Sequence, residues 1–276
     1  MIIIFLAGLF GCGETSPETL VDELRVIASV ASPPEVRPGD AFLYQSFAFN
    51  PDEASLDSLT WLCTNLGDGC IEAGGGGVSI HTAELSGMSP IWERSLSVSP
   101  ALSPVLDETG PMSSTQIWTL TCLPGSCPVI DDARGLDGLA EWPEALHSDL
   151  ANPVDWMADL PMAGVSLAYQ LLTTSLSDTP HENPSLEPDS NNPTELVRGK
   201  KFKLKFELNG EFSELAQLYN YASAGGFETH ITYVQGSGPV VVTGTAPKSG
   251  DTVRIWVVLG DGYGGKAVWT AEFPLA

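Results

Sequence analysis

Basic residues are scarce in this chain of 276 residues, which has 12 lysines and arginines against 35 aspartates and glutamates and a net charge of −23. The shortage is concentrated in residues 1–197, where 4 bases accompany 28 acids, whereas residues 198–276 carry 8 bases and 7 acids. An acidic surface repels the phosphates of nucleic acids and of anionic lipids. We therefore exclude nucleic acid and an anionic membrane surface as the main partner, and we attribute the excess of acids to solubility.

Charged residues of both signs make up only 17% of the sequence, while glycine (28) and proline (21) are abundant. Long surface helices cover their solvent faces with lysine, glutamate and arginine, so this composition argues against them. It favours many short strands joined by turns, and the length allows two domains. We predict an all-β protein.

The apolar run at the start of the chain, Ile2–Phe10, has nine residues, far fewer than the roughly 20 that a membrane-spanning helix needs. Its length is typical of the core of a signal peptide, and it ends in Leu9-Phe10-Gly11-Cys12. This ending resembles the lipobox of bacterial lipoproteins. The resemblance implies that residues 1–11 are a cleaved signal peptide, that Cys12 carries the lipid, and that residues 12–23 form a tether to the membrane.

The same resemblance implies a location. Gly13, rather than an aspartate, follows the cysteine, which implies the outer membrane of a Gram-negative cell envelope, with the protein facing the periplasm or the cell surface. A competing interpretation places residues 1–11 in a buried β-strand and makes Cys12 a core thiol.

Four cysteines remain when Cys12 is set aside, and they lie in two local pairs, Cys63 with Cys70 and Cys122 with Cys127. Four cysteines allow three pairings, and closeness in sequence together with an oxidising envelope favours these two disulfides. Each small ring would be stabilised by roughly 2 kcal/mol. The alternative is a four-thiolate zinc site, which typically uses cysteines separated by two residues, unlike the spacings here.

Three strand signals open the first domain: Leu24–Ala31, Ala41–Phe49 and Leu59–Cys63, which contains Trp61. The first two are joined by the turn-forming residues 33–40, with the sequence Pro-Pro-Glu-Val-Arg-Pro-Gly-Asp. This order resembles the opening of bacterial immunoglobulin-like domains, including polycystic-kidney-disease-type repeats. The resemblance implies a β-sandwich with Trp61 in its core.

The first domain extends over residues 24–178, which is more than the ~100 residues of one immunoglobulin-like sandwich. Residues 135–163 contain short helical patterns and are interpreted as an insertion. The remaining strand candidates are Val78–Leu85, Ile91–Val98, Thr115–Cys122 and Gly164–Thr174.

A linker rich in proline, asparagine and serine, residues 179–197, precedes a second domain at residues 198–276 and can contribute a first edge strand at its end. Lys201–Leu208 alternates between charged and apolar side chains, which is typical of a strand with one solvated face. The hairpin of residues 254–269 resembles the ending of the same repeat class. We predict a second sandwich with further strands at Glu228–Val234, Val240–Gly244, Asp251–Leu259 and Lys266–Phe273.

Motifs for catalysis are lacking. Gly260, Gly262 and Gly265 match the dinucleotide fingerprint in spacing, but a strand follows them where the fingerprint needs a helix. The histidines His81, His147, His181 and His230 show no metal-ligand spacing, and His147 and His181 are interpreted as surface side chains. We predict no cofactor, no metal and no catalytic residues.

We interpret the chain as a lipid-anchored envelope protein that acts as a non-enzymatic binding, adhesion or assembly module, with an envelope protein or glycan as partner. Trp142 and Trp156 form a possible ligand platform, although packing of short helices explains them equally well. One alternative is a carbohydrate-active or hydrolytic protein with its site within Glu141–Asp159. Another is a calcium-dependent adhesin that uses one of two acidic clusters. These clusters are Asp131, Asp132 and Asp137, and Asp52, Glu53 and Asp57.

Overall fold

A computed structural model describes residues 17–37, 39–52, 55–63, 79–83, 92–97, 113–123, 165–175 and 179–276. Within these ranges the chain forms β-strands and one short 3₁₀ helix, and no α-helix. The elements of the first half are the 3₁₀ helix Pro17–Thr19 and strands β1 (Arg25–Ser32), β2 (Glu35–Val36), β3 (Ala41–Phe49), β4 (Leu56–Cys63), β5 (Ser79–Ala83), β6 (Trp92–Ser97), β7 (Ser113–Cys122) and β8 (Val165–Thr174). Those of the second half are β9 (Ser185–Pro188), β10 (Lys201–Asn209), β11 (Gln217–Ala222), β12 (Gly226–Phe227), β13 (Ile231–Tyr233), β14 (Gly238–Thr245), β15 (Thr252–Gly260) and β16 (Lys266–Pro274).

The first half folds as a β-sandwich. A three-stranded sheet, β1-β3-β6, packs against a five-stranded sheet, β2-β8-β7-β4-β5, in which only the β2–β8 pair is parallel. Tyr44 on β3 is fully buried and connects the two sheets, because its hydroxyl lies 2.5 Å from the Thr119 hydroxyl on β7. Burial raises the pKa of Tyr44 to about 12. Both sheets contribute to the core, which contains Leu24, Ala31, Val36, Phe42, Tyr44, Leu56, Ile117 and Leu172.

The second half is another β-sandwich, built from sheets β12-β14-β10-β9 and β13-β11-β15-β16. Strand β10 shows the predicted alternation: Leu204, Phe206 and Leu208 are buried, whereas Lys203 and Lys205 are exposed. It pairs with β14 along Lys201 to Leu208 and with β9 only from Phe206 to Asn209, and its lysines form a solvated face.

The described part of the chain is therefore all-β, as predicted, and forms two β-sandwiches in tandem. The predicted helical insertion at residues 135–163 lies outside the described residues. Strands β2, β11 and β12 were not predicted. Strand β9 lies within the predicted linker 179–197 and pairs with β10, so this sheet begins before Arg198. Strand β11 pairs with β13 and β15 inside the other sheet.

Candidate functional site at the interdomain junction

The two sandwiches are joined by an apolar interface between the outer faces of two sheets. Side chains of strand β15 alternate between the two faces of its sheet. Ile255 and Val257 point into the core of the second sandwich, and Trp256 and Val258 point into the interface. All four side chains are buried, since a strand with both faces covered has no solvated side. The interface cluster consists of Val21, Ile27, Ala28, Phe49, Tyr221, Trp256 and Val258.

Strand β1 is buried over nearly its whole length for the same reason. Its pairing with β3 shifts by one residue between Val26 and Ala28, which leaves Ile27 as an extra residue in a β-bulge. A bulge re-aims the side chains next to it. Ile27 and Ala28 accordingly both belong to the interface cluster.

Aromatic and cationic side chains complete this interface. The rings of Phe49 and Trp256 lie 5.1 Å apart between centroids. The Arg254 guanidinium lies 5.9 Å from the Phe49 ring centroid, and Arg25 lies 5.2 Å from that of Tyr221. Burial raises the pKa of the Tyr221 phenol above its usual value. Such contacts between the domains contribute specific geometry beyond the area that they bury.

The hairpin between β15 and β16 forms a cluster of polar contacts around Asp261 beside the apolar interface, and we call this cluster the staple. Asp261 is fully buried, and its Oδ1 accepts hydrogen bonds from the backbone N–H groups of Tyr263 (2.7 Å) and Gly265 (3.0 Å). Gly262 has a φ of +82°, and a Cβ there would collide with the Ser213 hydroxyl. The carboxylate therefore stabilises a turn whose positive φ favours glycine.

His181 connects the linker to this hairpin. Its Nε2 lies 2.7 Å from Asp261 Oδ2, and its backbone N–H donates to Glu35 Oε2 at 2.9 Å. The Ser175 hydroxyl also donates to Glu35, which is buried in the first sandwich. The His181 side chain is only 17% exposed, so its interpretation as a surface residue was wrong. Its burial follows from contacts with residues that are distant in sequence.

Two amides bind the linker and the second sandwich to the first. The Asn183 side-chain amide donates to the Ala31 carbonyl at 2.8 Å, and its oxygen accepts from the Lys266 backbone at 2.8 Å. The Gln170 amide, on β8, donates to the Gly264 carbonyl at 2.6 Å. The linker and hairpin are thus attached to the first sandwich through directional hydrogen bonds.

Lys266 begins β16 next to this staple. Burial of its ammonium lowers the pKa to about 8, while the Asp261 carboxylate opposes that shift. Loss of hydration disfavours the charged form of this amine, and the attraction of the neighbouring carboxylate offsets part of that cost.

The segment before β1 docks on the second sandwich and does not extend as a free tether. Leu20 forms a parallel bridge with Ala222, and the Val21 N–H donates to the Ala222 carbonyl at 2.9 Å. Thr19 is fully buried, and its hydroxyl accepts from the Phe227 N–H at 3.0 Å. Residues 17–21 therefore belong to the folded body, although they lie in the predicted tether 12–23.

His230 lies against this docked segment. Its Nδ1 lies 3.7 Å from Glu18 Oε2, and its ring makes edge contacts with Tyr219 and Tyr221. Partial burial lowers the pKa of His230, Arg25 lowers it further, and Glu18 opposes the shift. The neutral imidazole is therefore the favoured form in the folded protein.

Below about pH 6.5, the unfolded chain takes up a proton at His230 more readily than the folded chain. We expect the stability from this residue to be complete above that pH and to fall as the pH drops toward the folded-state pKa. Urea unfolding of the native chain and of His230→Phe, which keeps an aromatic ring against Tyr219 and Tyr221, measures the effect. The variant should lose less stability on acidification, and equal losses would contradict the expectation.

The structure places only part of the predicted cysteine pattern. Cys63 ends β4, and Cys122 ends β7 with its side chain fully buried. Cys12, Cys70 and Cys127 lie outside the described residues. The lipidation and both disulfide pairings therefore stay predictions.

The predicted ligand platform, Trp142 and Trp156, and the segment Glu141–Asp159 also lie outside the described residues, as does the acidic cluster that begins at Asp131. Of the other acidic cluster, Asp52 lies in a turn and Asp57 lies on β4. Among the residues that the structure describes, no group of three or more possible ligands comes together for a metal. No helix in the same part of the chain is long and apolar enough to cross a membrane.

No protein-family model matches the sequence, and no curated protein matches it significantly. Among solved structures, the chain is similar to the D0-D1 domain of intimin, with 10% identity, a TM-score of 0.26, and coverage of 90% of this chain and 98% of that one. It is also similar to a red sea bream transglutaminase, with 9% identity, a TM-score of 0.28, and coverage of 93% and 32%. A fragment of the titin I-band gives 9% identity, a TM-score of 0.25, and coverage of 92% and 66%. At this level the similarities say nothing about activity.

Proposed function

We propose that this chain is a non-enzymatic binding module of a bacterial cell envelope, anchored by a lipid on Cys12, that presents two fixed β-sandwiches to a protein or glycan partner. The observation that carries the proposal is the interdomain junction. Tandem domains move relative to each other unless their interface is large and apolar. Here an aromatic cluster around Trp256 and the staple of His181 and Asp261 both join the domains.

A fixed junction supports binding because it keeps loops of both sandwiches in one relative geometry. When a partner contacts both domains, this chain then loses less conformational freedom on binding than a flexible pair of domains would. The sequence pattern Leu9-Phe10-Gly11-Cys12 supports the lipid anchor. Residues 17–21 support a short attachment, since they already pack on the second sandwich.

The anchor is tested with the variant Cys12→Ala, expressed as the full-length chain in a Gram-negative host. We expect the native chain in the membrane fraction with the mass of a lipid added at Cys12. The variant should be released into the soluble fraction, because the thiol that accepts the lipid is absent. Thr15→Ala, which lies close by and keeps the thiol, should remain bound to membranes. Unchanged membrane retention of Cys12→Ala would overturn the anchor.

A further inference from the structure

Strand β16 is an edge strand of its sheet in the second sandwich. It has nine residues, and its pairing with β15 continues from Lys266 to Pro274 without a bulge. Both faces of the strand are packed. Trp269 contacts Phe206 in the core, with ring centroids 4.9 Å apart, and Val268 packs against the interface cluster. The position of this edge is therefore fixed from both sides.

Hydrogen bonds at the two ends of β16 show which of its backbone groups point away from β15. The Lys266 N–H donates to the Asn183 side chain at 2.8 Å, and the Pro274 carbonyl accepts from the Leu196 N–H at 3.0 Å. Both partners belong to the linker and not to β15. Because backbone groups alternate between the two sides of a strand, the even-numbered residues of β16 all point outward.

Between these two linker contacts the outward side of β16 is open. Val268, Thr270 and Glu272 direct their N–H groups and carbonyls outward, and within the described residues none of these groups has a hydrogen-bond partner. Residues 266–271 are all partly exposed and Glu272 is exposed, whereas the neighbouring strand β15 is mostly buried. We call residues 266–272 the β16 edge.

The β16 edge has little of the protection that sheet edges usually carry. Lysines, prolines and bulges at an edge prevent pairing with other chains. The other sheet of this sandwich is protected in that way, because β10 carries Lys201 and Lys203 on the stretch that β9 does not cover. In the β16 edge the charged residues, Lys266 and Glu272, stand at the two ends, and the five residues between them are uncharged.

We propose that the β16 edge binds an extended segment of a partner protein, which joins the four-stranded sheet as a fifth strand antiparallel to β16. This inference rests on the proposed binding function and specifies a protein as the partner. An extended backbone offers N–H groups and carbonyls at the same spacing as the open groups of β16, which is how strand addition gains affinity. The antiparallel direction follows the rest of the sheet, in which every strand pair is antiparallel.

The two faces of β16 determine the side chains that suit an added strand. Residues opposite Val268, Thr270 and Glu272 would exchange both hydrogen bonds with them and share their face. On that face the Thr270 hydroxyl is buried and has no hydrogen-bond partner, so a polar side chain such as threonine can supply one. The intervening residues would lie beside Ala267 and Trp269, at the rim of the core. The partner segment therefore alternates polar and apolar residues.

The test uses the full chain in detergent and the peptide Thr-Val-Thr-Ile-Thr-Val-Thr, with a fluorophore at its N-terminus and an amidated C-terminus. Two matched versions each carry two N-methyl groups, either on the central threonines, whose amides would face β16, or on the valines, whose amides would face away. Fluorescence anisotropy should show saturable binding of the unmodified and valine-methylated peptides and none of the threonine-methylated peptide. Binding should also slow hydrogen exchange in residues 266–274. Absence of binding by the unmodified peptide, or equal binding of both methylated versions, would overturn the proposal.

Two variants at Thr270 test the same site on the chain. Thr270→Pro removes an outward N–H and leaves the pairing with β15 in place, as proline at an edge does. It should weaken peptide binding by about tenfold or more. Thr270→Val keeps the N–H and should bind within a few-fold of the native chain. Thermal unfolding shows whether both variants fold, and the methylated peptides decide the question without them.

Two further outcomes separate the alternatives. Native affinity in folded Thr270→Pro would place the peptide elsewhere and overturn the β16 edge as its site. A native chain that sediments as a dimer, and as a monomer after Thr270→Pro, would assign the edge to a second copy and overturn the partner segment. Membrane fractionation of Cys12→Ala tests the anchored module independently, so failure of the peptide to bind would overturn the edge alone.

Discussion

Replacing Trp256 with alanine should lower the free energy of unfolding by about 3–5 kcal/mol, as truncation of large buried aromatic residues does. Trp256 is 3% exposed and contacts Phe49 across the junction, so its loss leaves a cavity between the sandwiches and not within either core. We therefore expect calorimetry to show one cooperative transition for the native chain and two separate transitions for the variant.

Val241→Ala is the control for Trp256→Ala. Val241 lies on the same sandwich, but its side chain is 48% exposed. Its truncation should change the free energy of unfolding by less than about 0.5 kcal/mol. A single transition in Trp256→Ala, with a loss as small as that of the control, would contradict the central role of the junction.

Asp261→Ala should lower the free energy of unfolding by about 3 kcal/mol, since each buried donor left without an acceptor costs roughly 1–3 kcal/mol. The substitution removes the acceptor of the Tyr263 and Gly265 N–H groups and the partner of His181 Nε2. It also removes the charge that opposes desolvation of Lys266, so the pKa of that lysine should fall further below about 8. Urea unfolding and the pH dependence of amine labelling measure the two effects.

Asp251→Ala is the matched control for Asp261→Ala. The Asp251 side chain is fully exposed and lies 3.8 Å from Arg198, a geometry that contributes little in water. We also expect Asp261→Asn to lose less stability than Asp261→Ala, because its amide oxygen can still accept from the turn. Equal effects of Asp261→Ala and Asp251→Ala would show that the staple does not stabilise the protein.

Strands with one solvent-exposed face could be predicted from the sequence, because the alternation of polar and apolar residues is a local pattern. Strand β10 alternates lysines with apolar residues. Strand β3 runs from Ala41 to Phe49, as predicted from the turn-forming residues 33–40 before it and from its own apolar alternation. Strand β11 was missed. Its sequence, Gln-Leu-Tyr-Asn-Tyr-Ala, places Asn220 in a buried position and tyrosines toward the junction, so hydrophobicity alternates weakly.

The junction itself could not be predicted, because its contacts join distant parts of the chain. His181 stands between Pro180 and Glu182 in a polar segment, and its partner Asp261 is 80 residues further on. Asp261 lies within the hairpin predicted at residues 254–269, but nothing local indicates that its second oxygen binds a linker histidine. The continuous apolar character of β15 was a usable signal, because a strand buried on both faces needs two partners.

The docking of residues 17–21 also sets an order of folding. The hydrogen bond between Thr19 and the Phe227 backbone joins residues that are 208 positions apart. Residues 17–21 therefore have no binding site until strand β12, about 200 residues further along the chain, is in place. Contacts of such long sequence separation form late and slowly. We expect the sandwiches to fold before this segment closes onto the second one, so that docking of residues 17–21 is the last step of assembly.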